Sequence, residues 1–243
     1  MAIVFIVILM FAGNSGAAYG SLTRCGPYQL QIRKGTPENG GGSVILSRER
    51  RPVLKVPGLW YVDEVLCQDL TGDGQPELIV IDFSGGATGC CVSGQIFLLT
   101  ERPTRIGEFC CNPTIEDLNR DGRKEIITSN ELTLEDIPHV VYREWTIFHI
   151  GCFDGKKFVD CSKKFPDEYR KHITGTLARL RKEKDPDADF QRMGSAVILF
   201  DFMIIGREQE GWRFLKKEFP EAIIRWLQGR RAEILEQVRP PFY

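Results

Sequence analysis

Asp69-Leu70-Thr71-Gly72-Asp73-Gly74-Gln75-Pro76-Glu77-Leu78-Ile79-Val80 returns 48 positions later as Asp117-Leu118-Asn119-Arg120-Asp121-Gly122-Arg123-Lys124-Glu125-Ile126-Ile127-Thr128. Both copies carry oxygen-bearing side chains at positions 1, 3, 5 and 9, glycine at position 6, and then an apolar run. A period of this length belongs to repeat architectures in which each copy is one supersecondary unit. Glycine permits the positive φ of a sharp turn, and the apolar run reads as a strand. The sequence is therefore expected to place a loop feeding a strand twice over in a β-rich region.

The donor set suits calcium, a hard cation that takes six to eight oxygens from carboxylates, amides, hydroxyls and carbonyls. Alternate residues of a tight loop turn their oxygens toward one centre, and a backbone carbonyl at position 7, from Gln75 or Arg123, extends the set. An EF-hand is excluded, because position 12 is Val80 or Thr128 where that loop needs a bidentate Glu. Asp-Gly between strands is also a common hairpin turn that needs no metal. A bare turn leaves the acids at positions 1, 5 and 9 unexplained, since they repel one another without a cation.

These residues resemble the calcium loops of the FG-GAP/VCBS repeat family, the blade motif of integrin α-chain propellers and of many bacterial exported proteins. Ser84-Gly85-Gly86-Ala87-Thr88-Gly89-Cys90-Cys91 and Gly211-Trp212-Arg213-Phe214-Leu215 are similar to segments of bacterial VCBS-repeat proteins. The resemblance implies one site from Asp69, Thr71, Asp73 and Glu77 and another from Asp117, Asn119, Asp121 and Glu125, with calcium in a structural role. Thr71 brings no charge, and Arg120, Arg123 and Lys124 crowd the second loop with cations, so weak binding is expected. Two detectable copies do not close a propeller of four or more blades; further blades lie within 21–66 and 131–165, or the sheet stays open.

Outside the loops the strand pattern marks Ser43–Leu46, Val53–Val56, Leu78–Phe83, Gln95–Thr100, Glu125–Ser129, Trp145–Ile150 and Lys157–Asp160. Phe153-Asp154-Gly155-Lys156 reads as a hairpin turn. Past Pro166 the period changes to three and four, giving helices over Asp167–Lys184, Ala188–Ile205, Glu208–Phe219 and Glu221–Val238. Asp185-Pro186-Asp187 is a break whose carboxylates cap. Val197 to Ile205 is apolar almost all round, which places that helix in the middle of a bundle. The expected fold class is α+β: residues 19–165 as an antiparallel β domain of propeller-blade-like repeats, and 166–243 as a helical cap.

Residues 1–18 read as a signal peptide. An apolar run, Ala2 to Ala12, too short to span a bilayer comfortably, leads to a small-residue stretch with a cleavage site after Ala18, although no Lys or Arg precedes it. The expected location is periplasmic or extracellular, with no membrane span in the mature chain. Export allows disulfides among the eight cysteines, all before residue 162. A hairpin through Glu101-Arg102-Pro103-Thr104 brings Cys90 and Cys91 toward Cys110 and Cys111, and a bridge between those segments is expected.

With 42% hydrophobic residues, 27% charged and a formal net charge of −1, the 243-residue chain has enough material for a core and no basic excess that would indicate nucleic acid. No Gly-x-Ser-x-Gly elbow, His-Glu-x-x-His, phosphate loop or dinucleotide fingerprint occurs. His139, His149 and His172 stand apart in sequence and read as surface or satisfied core residues. The leading expectation is a non-catalytic exported protein that binds a protein or glycan of the cell envelope. Its rival is a secreted hydrolase with a carboxylate pair among Asp63, Glu64, Asp82 and the loops.

Overall fold

The computed structural model describes residues 23–36, 38–84, 92–137, 145–184, 187–239 and 241–242. The strands form three four-stranded antiparallel sheets, each a meander in which every strand pairs with the next in the chain. The first sheet holds β1 (Thr23–Cys25), β2 (Tyr28–Arg33), β3 (Ser43–Arg48) and β4 (Arg51–Lys55). The second holds β5 (Tyr61–Gln68), β6 (Glu77–Phe83), β7 (Val92–Leu98) and β8 (Thr104–Cys110), and the third β9 (Asn112–Glu116), β10 (Glu125–Glu131), β11 (Thr146–Phe153) and β12 (Phe158–Asp160). Helices α1 (Pro166–Lys182), α2 (Ala188–Ile204), α3 (Glu208–Glu218) and α4 (Glu221–Gln237) follow. The architecture is α+β, and among the described residues the sheets do not close into a barrel or ring.

Side-chain parity explains how the layers stack. Successive residues of a strand point to opposite faces, and β6, Glu77-Leu78-Ile79-Val80-Ile81-Asp82, is buried at every one of these positions. Leu78 and Val80 join Tyr28, Leu30, Val44 and Leu46 in a core between the first and second sheets. Ile79 and Ile81 join Ile126 and Phe158 in a second core, between the second and third sheets. The other face of the third sheet, with Phe148 and Ile150, shares a third core with the helices. The order in space therefore follows the order in sequence: sheet, sheet, sheet, helices.

α2 is the central helix. It packs on α1, α3, α4 and β11, and every residue from Met193 to Ile204 is buried. Asp187 caps it, its carboxylate accepting the Phe190 amide at 2.7 Å. Pro166 opens α1 at a position where a missing N–H costs nothing. The turn after β11 closes as the sequence indicates, with Asp154 Oδ1 accepting the amides of Lys156 and Lys157 at 2.8 and 2.9 Å.

One disulfide, Cys25–Cys67, ties β1 of the first sheet to β5 of the second; the other, Cys152–Cys161, ties β11 to the residue after β12. Cys110 and Cys111 are neighbours with their sulfurs 3.4 Å apart. The expected bridge from these to Cys90 or Cys91 involves residues outside the described ones, as does the signal segment. Among the described residues no helix is long and apolar enough to cross a membrane.

Gly94 marks where the second core is tightest. A β-carbon there would lie 2.0 Å from the Phe109 ring, which is buried. Gly94→Ala is expected to destabilise the chain by about 2 kcal/mol through overpacking. Urea denaturation should show the midpoint fall, and Phe109→Leu should restore part of it.

Candidate functional site

The two repeated loops occupy the same place in successive sheets, joining the first strand to the second. Their registers agree: Gln68 pairs with Glu77 and Glu116 with Glu125, so position 9 always sits opposite the residue that precedes the loop. Both loops turn through left-handed backbone at positions 4 and 6, at φ +74° and +83° for Gly72 and Gly74, and +61° and +86° for Arg120 and Gly122. At Gly72 a side chain is also crowded by its neighbour, since a β-carbon would meet the Gly122 carbonyl at 3.0 Å. The loops thus touch each other. The Lys124 amide donates to the Leu70 carbonyl at 2.9 Å, and Lys124 Nζ to Gln68 Oε1 at 3.1 Å.

Within each loop the acids collect backbone amides. Asp69 accepts from Gly72 and Gly74 at 2.7 and 2.8 Å, Asp73 from Gln75 at 2.8 Å, and Glu77 from Leu70 and Thr71 at 2.7 and 3.2 Å. The Thr71 hydroxyl reaches the other oxygen of Glu77 at 3.4 Å. In the second loop Asp117 accepts from Asp121 and Gly122 at 3.1 and 3.0 Å, Asn119 from the Asp121 amide at 3.0 Å, Asp121 from Arg123 at 2.8 Å, and Glu125 from Leu118 at 2.9 Å. Position 9 is the buried member in both copies, and position 1 and 5 acids are more open. Burial pushes the Glu77 and Glu125 carboxyls above their ordinary value, and the neighbouring aspartates push the same way. Asp121 is held low by the Arg123 amide.

The donors are all oxygen, as a hard cation requires, and a carboxylate oxygen that accepts one amide keeps a lone pair. Among the described residues, however, no three acidic, histidine or cysteine side chains converge tightly enough to hold a metal by themselves. Carbonyls, with Gln75 and Arg123 the expected sources, and water would have to complete either sphere. Beside the second loop lies a cavity of about 340 Å³ whose walls include Asn119, Asp121, Arg123, Phe153, Lys164 and Phe165.

The carboxylates weighed for hydrolysis are not arranged alike. Asp63 and Glu64 are exposed on β5, where a bulge interrupts the pairing with β6. Asp82 is buried, with both oxygens on the Trp60 amide at 2.9 and 3.1 Å. Its carboxylate fastens the chain entering β5.

Two histidines have partners that the sequence does not announce. His149 Nε2 lies 3.1 Å from the Gln237 carbonyl. His172 Nδ1 lies 2.8 Å from Asp201 Oδ2, and Asp201 is fully buried in α2. The available signal is one acid in the run Ala196-Val197-Ile198-Leu199-Phe200-Asp201-Phe202-Met203-Ile204, since a charge in such a helix needs a partner. No protein-family model matches the chain, and no curated protein matches it.

Proposed function

We propose that the chain is an exported, non-catalytic calcium-binding protein of FG-GAP/VCBS type, with its ions stiffening the β region in a structural role. The observation that carries this reading is the equivalence of the two loops: same place in the meander, same register, same two left-handed turns, and acids that repel one another. Asp69, Thr71, Asp73, Gln75 and Glu77 would serve one ion, and Asp117, Asn119, Asp121, Arg123 and Glu125 the other, Gln75 and Arg123 through their carbonyls. The three consecutive meanders are the form that propeller blades take. Two disulfides fit an oxidising compartment, periplasmic or extracellular.

A glycan of the cell envelope suits the cavity beside the second loop, where Phe153 and Phe165 offer apolar surface and Asn119, Asp121, Arg123 and Lys164 offer hydrogen bonds. A concave site with a few polar groups among apolar walls is the usual form for a small ligand. A protein partner, or hydrolase activity on the same glycans, is the competing outcome.

Isothermal titration of the chelator-treated chain should show calcium uptake, and Asp73→Ala and Asp121→Ala should each remove one site. Calcium at a hundredfold excess over its Kd should stabilise the fold by about 2.7 kcal/mol. No heat of binding together with an unmoved melting temperature ends the calcium reading. Screening on a glycan panel, with Phe165→Ala as control, tests the partner, and release of reducing sugar would establish the hydrolase instead.

A further inference from the structure

Asp201 is difficult to explain as part of a helical core. It is 0% exposed in a helix otherwise apolar around it. One of its oxygens bonds His172, and the other has no hydrogen-bond partner among the described residues. Half-satisfied burial of a carboxylate opposes folding, and an apolar residue of the same volume would avoid it. His172, in contrast, reaches solvent: its side chain is 27% exposed and lines a cavity of about 360 Å³ between α1 and the start of β11. The carboxylate fixes the ring by Nδ1, which leaves Nε2 as the nitrogen available to that cavity. Phe148 holds the ring from another side, edge to face at 5.2 Å.

The rest of the cavity has one chemical character. Lys171 and Arg179 supply cationic groups, Thr146 and Thr176 supply hydroxyls, and Trp145 supplies a wall. The buried indole N–H of Trp145 has no acceptor among the described residues, and the Arg179 guanidinium lies 5.0 Å from the Trp145 ring centre. Among the described residues no acidic side chain lines the cavity; Asp201 acts on it through His172, and Glu168 through its 2.7 Å pair with Lys171. Gly175 completes the lining from the middle of α1, where glycine costs about 1 kcal/mol relative to alanine. A β-carbon at Gly175 would meet nothing within 4 Å. Packing therefore does not require glycine there, and a larger side chain at this position has room to reach into the cavity.

The geometry points to a binding site for a small oxyanion, a phosphoryl or carboxylate group accepting a hydrogen bond from His172 Nε2–H within reach of Lys171 and Arg179. Asp201 is the positioning residue that stabilises the imidazolium, and the Asp201 hydrogen bond and charge raise the His172 pKa against the lowering effect of burial. Binding then requires the proton on His172, so affinity falls as pH rises through the His172 pKa; burial pushes the Asp201 carboxyl up to about 6, so its support of the imidazolium weakens as pH falls below that value. Among the described residues, the charged or titratable groups around the ring are Asp201 from α2 and Lys171, Arg179 and the Tyr169 hydroxyl from α1; Trp145, Thr146 and Phe148 on the β11 side do not titrate.

Histidine imidazole resonances of the full chain, followed by NMR during titration at constant ionic strength, test this site. Sulfate serves as a phosphoryl probe whose charge does not change with pH, and acetate as the carboxylate probe. At a pH below the His172 pKa, one or both should shift His172 saturably without shifting His139 or His149, and the arm that saturates at lower concentration identifies the class. Affinity should fall about tenfold per pH unit above the His172 pKa, as uptake of one proton demands. Asp201→Asn should weaken binding at least tenfold. Gly175→Leu should leave the chain folded, raise its melting temperature and abolish the shift. Absence of a saturable His172 shift with both probes, or a shift that survives in Gly175→Leu, overturns the proposal.

Discussion

Replacing Cys25 and Cys67 together by alanine is expected to remove about 4 kcal/mol of stability, against about 2.5 kcal/mol for Cys152 and Cys161, on the loop-closure account of disulfides. The difference follows from the loops closed, 42 residues of sequence separation against 9. It also follows from position. The first sheet is held by one core, shared only with the second sheet, and its last strand, β4, is largely exposed. Cys25 is itself a buried member of that core. Urea unfolding of the two double variants measures the difference, and hydrogen exchange should show amides of β2 and β3 losing protection before those of β6. Equal losses in the two variants would mean that core packing, and not the covalent tie, holds the first sheet in place.

Glu77→Ala is expected to cost about 3 kcal/mol, because it strips the acceptor from two buried donors at roughly 1–3 kcal/mol each. Those donors are the Leu70 and Thr71 amides, and both residues are buried. Glu77→Gln keeps an acceptor oxygen in place and should cost less than half as much. The pair of variants also carries a pH signature. Burial raises the Glu77 pKa above its ordinary 4.5, so the folded chain retains a proton that the unfolded chain releases. The contribution from that proton is present at low pH and is lost as pH rises from 4.5 through the folded-state value. Glu77→Gln should flatten the wild-type decline across that window. A wild-type curve without any decline would show that a bound ion, or the Leu70 and Thr71 amides, keep this carboxylate charged in the folded chain as readily as in the unfolded one.

The repeat was the most legible part of this sequence, and it led to structurally equivalent loops because glycine and acids at fixed offsets dictate local backbone. The four helices were equally legible, since apolar spacing of three and four persists over 11 to 17 residues. β1, β2, β5, β8 and β9 fall outside the segments that the strand pattern marks. In β5 the reason is physical: Asp63 and Glu64 stand at a bulge, so alternation breaks there. In β9, Asn112-Pro113-Thr114-Ile115-Glu116, proline and two polar ends hide an edge strand of the third sheet. β2 alternates Tyr28, Leu30 and Ile32 with Gln29, Gln31 and Arg33, and the strand rule applies to it without modification. The His172–Asp201 contact is of another kind. Its partners lie 29 residues apart on different helices, and only the packing of α1 on α2 decides that they meet.

The stacking of three sheets and a helical layer has a consequence for how the molecule responds to load and to damage. Each layer packs chiefly on its neighbours, so a defect is transmitted mainly along a line, and Phe242, past α4, reaches back across the third sheet to Phe109 of β8. β6 and its sheet sit at the middle of that line, with a separate core on each face. A cavity opened on one face of β6 weakens a single junction, whereas loss of the strand parts the line in two. The chain is accordingly best regarded as a short column whose outermost sheet can loosen by itself, while the helical end is strapped back to the middle of the column through Phe242.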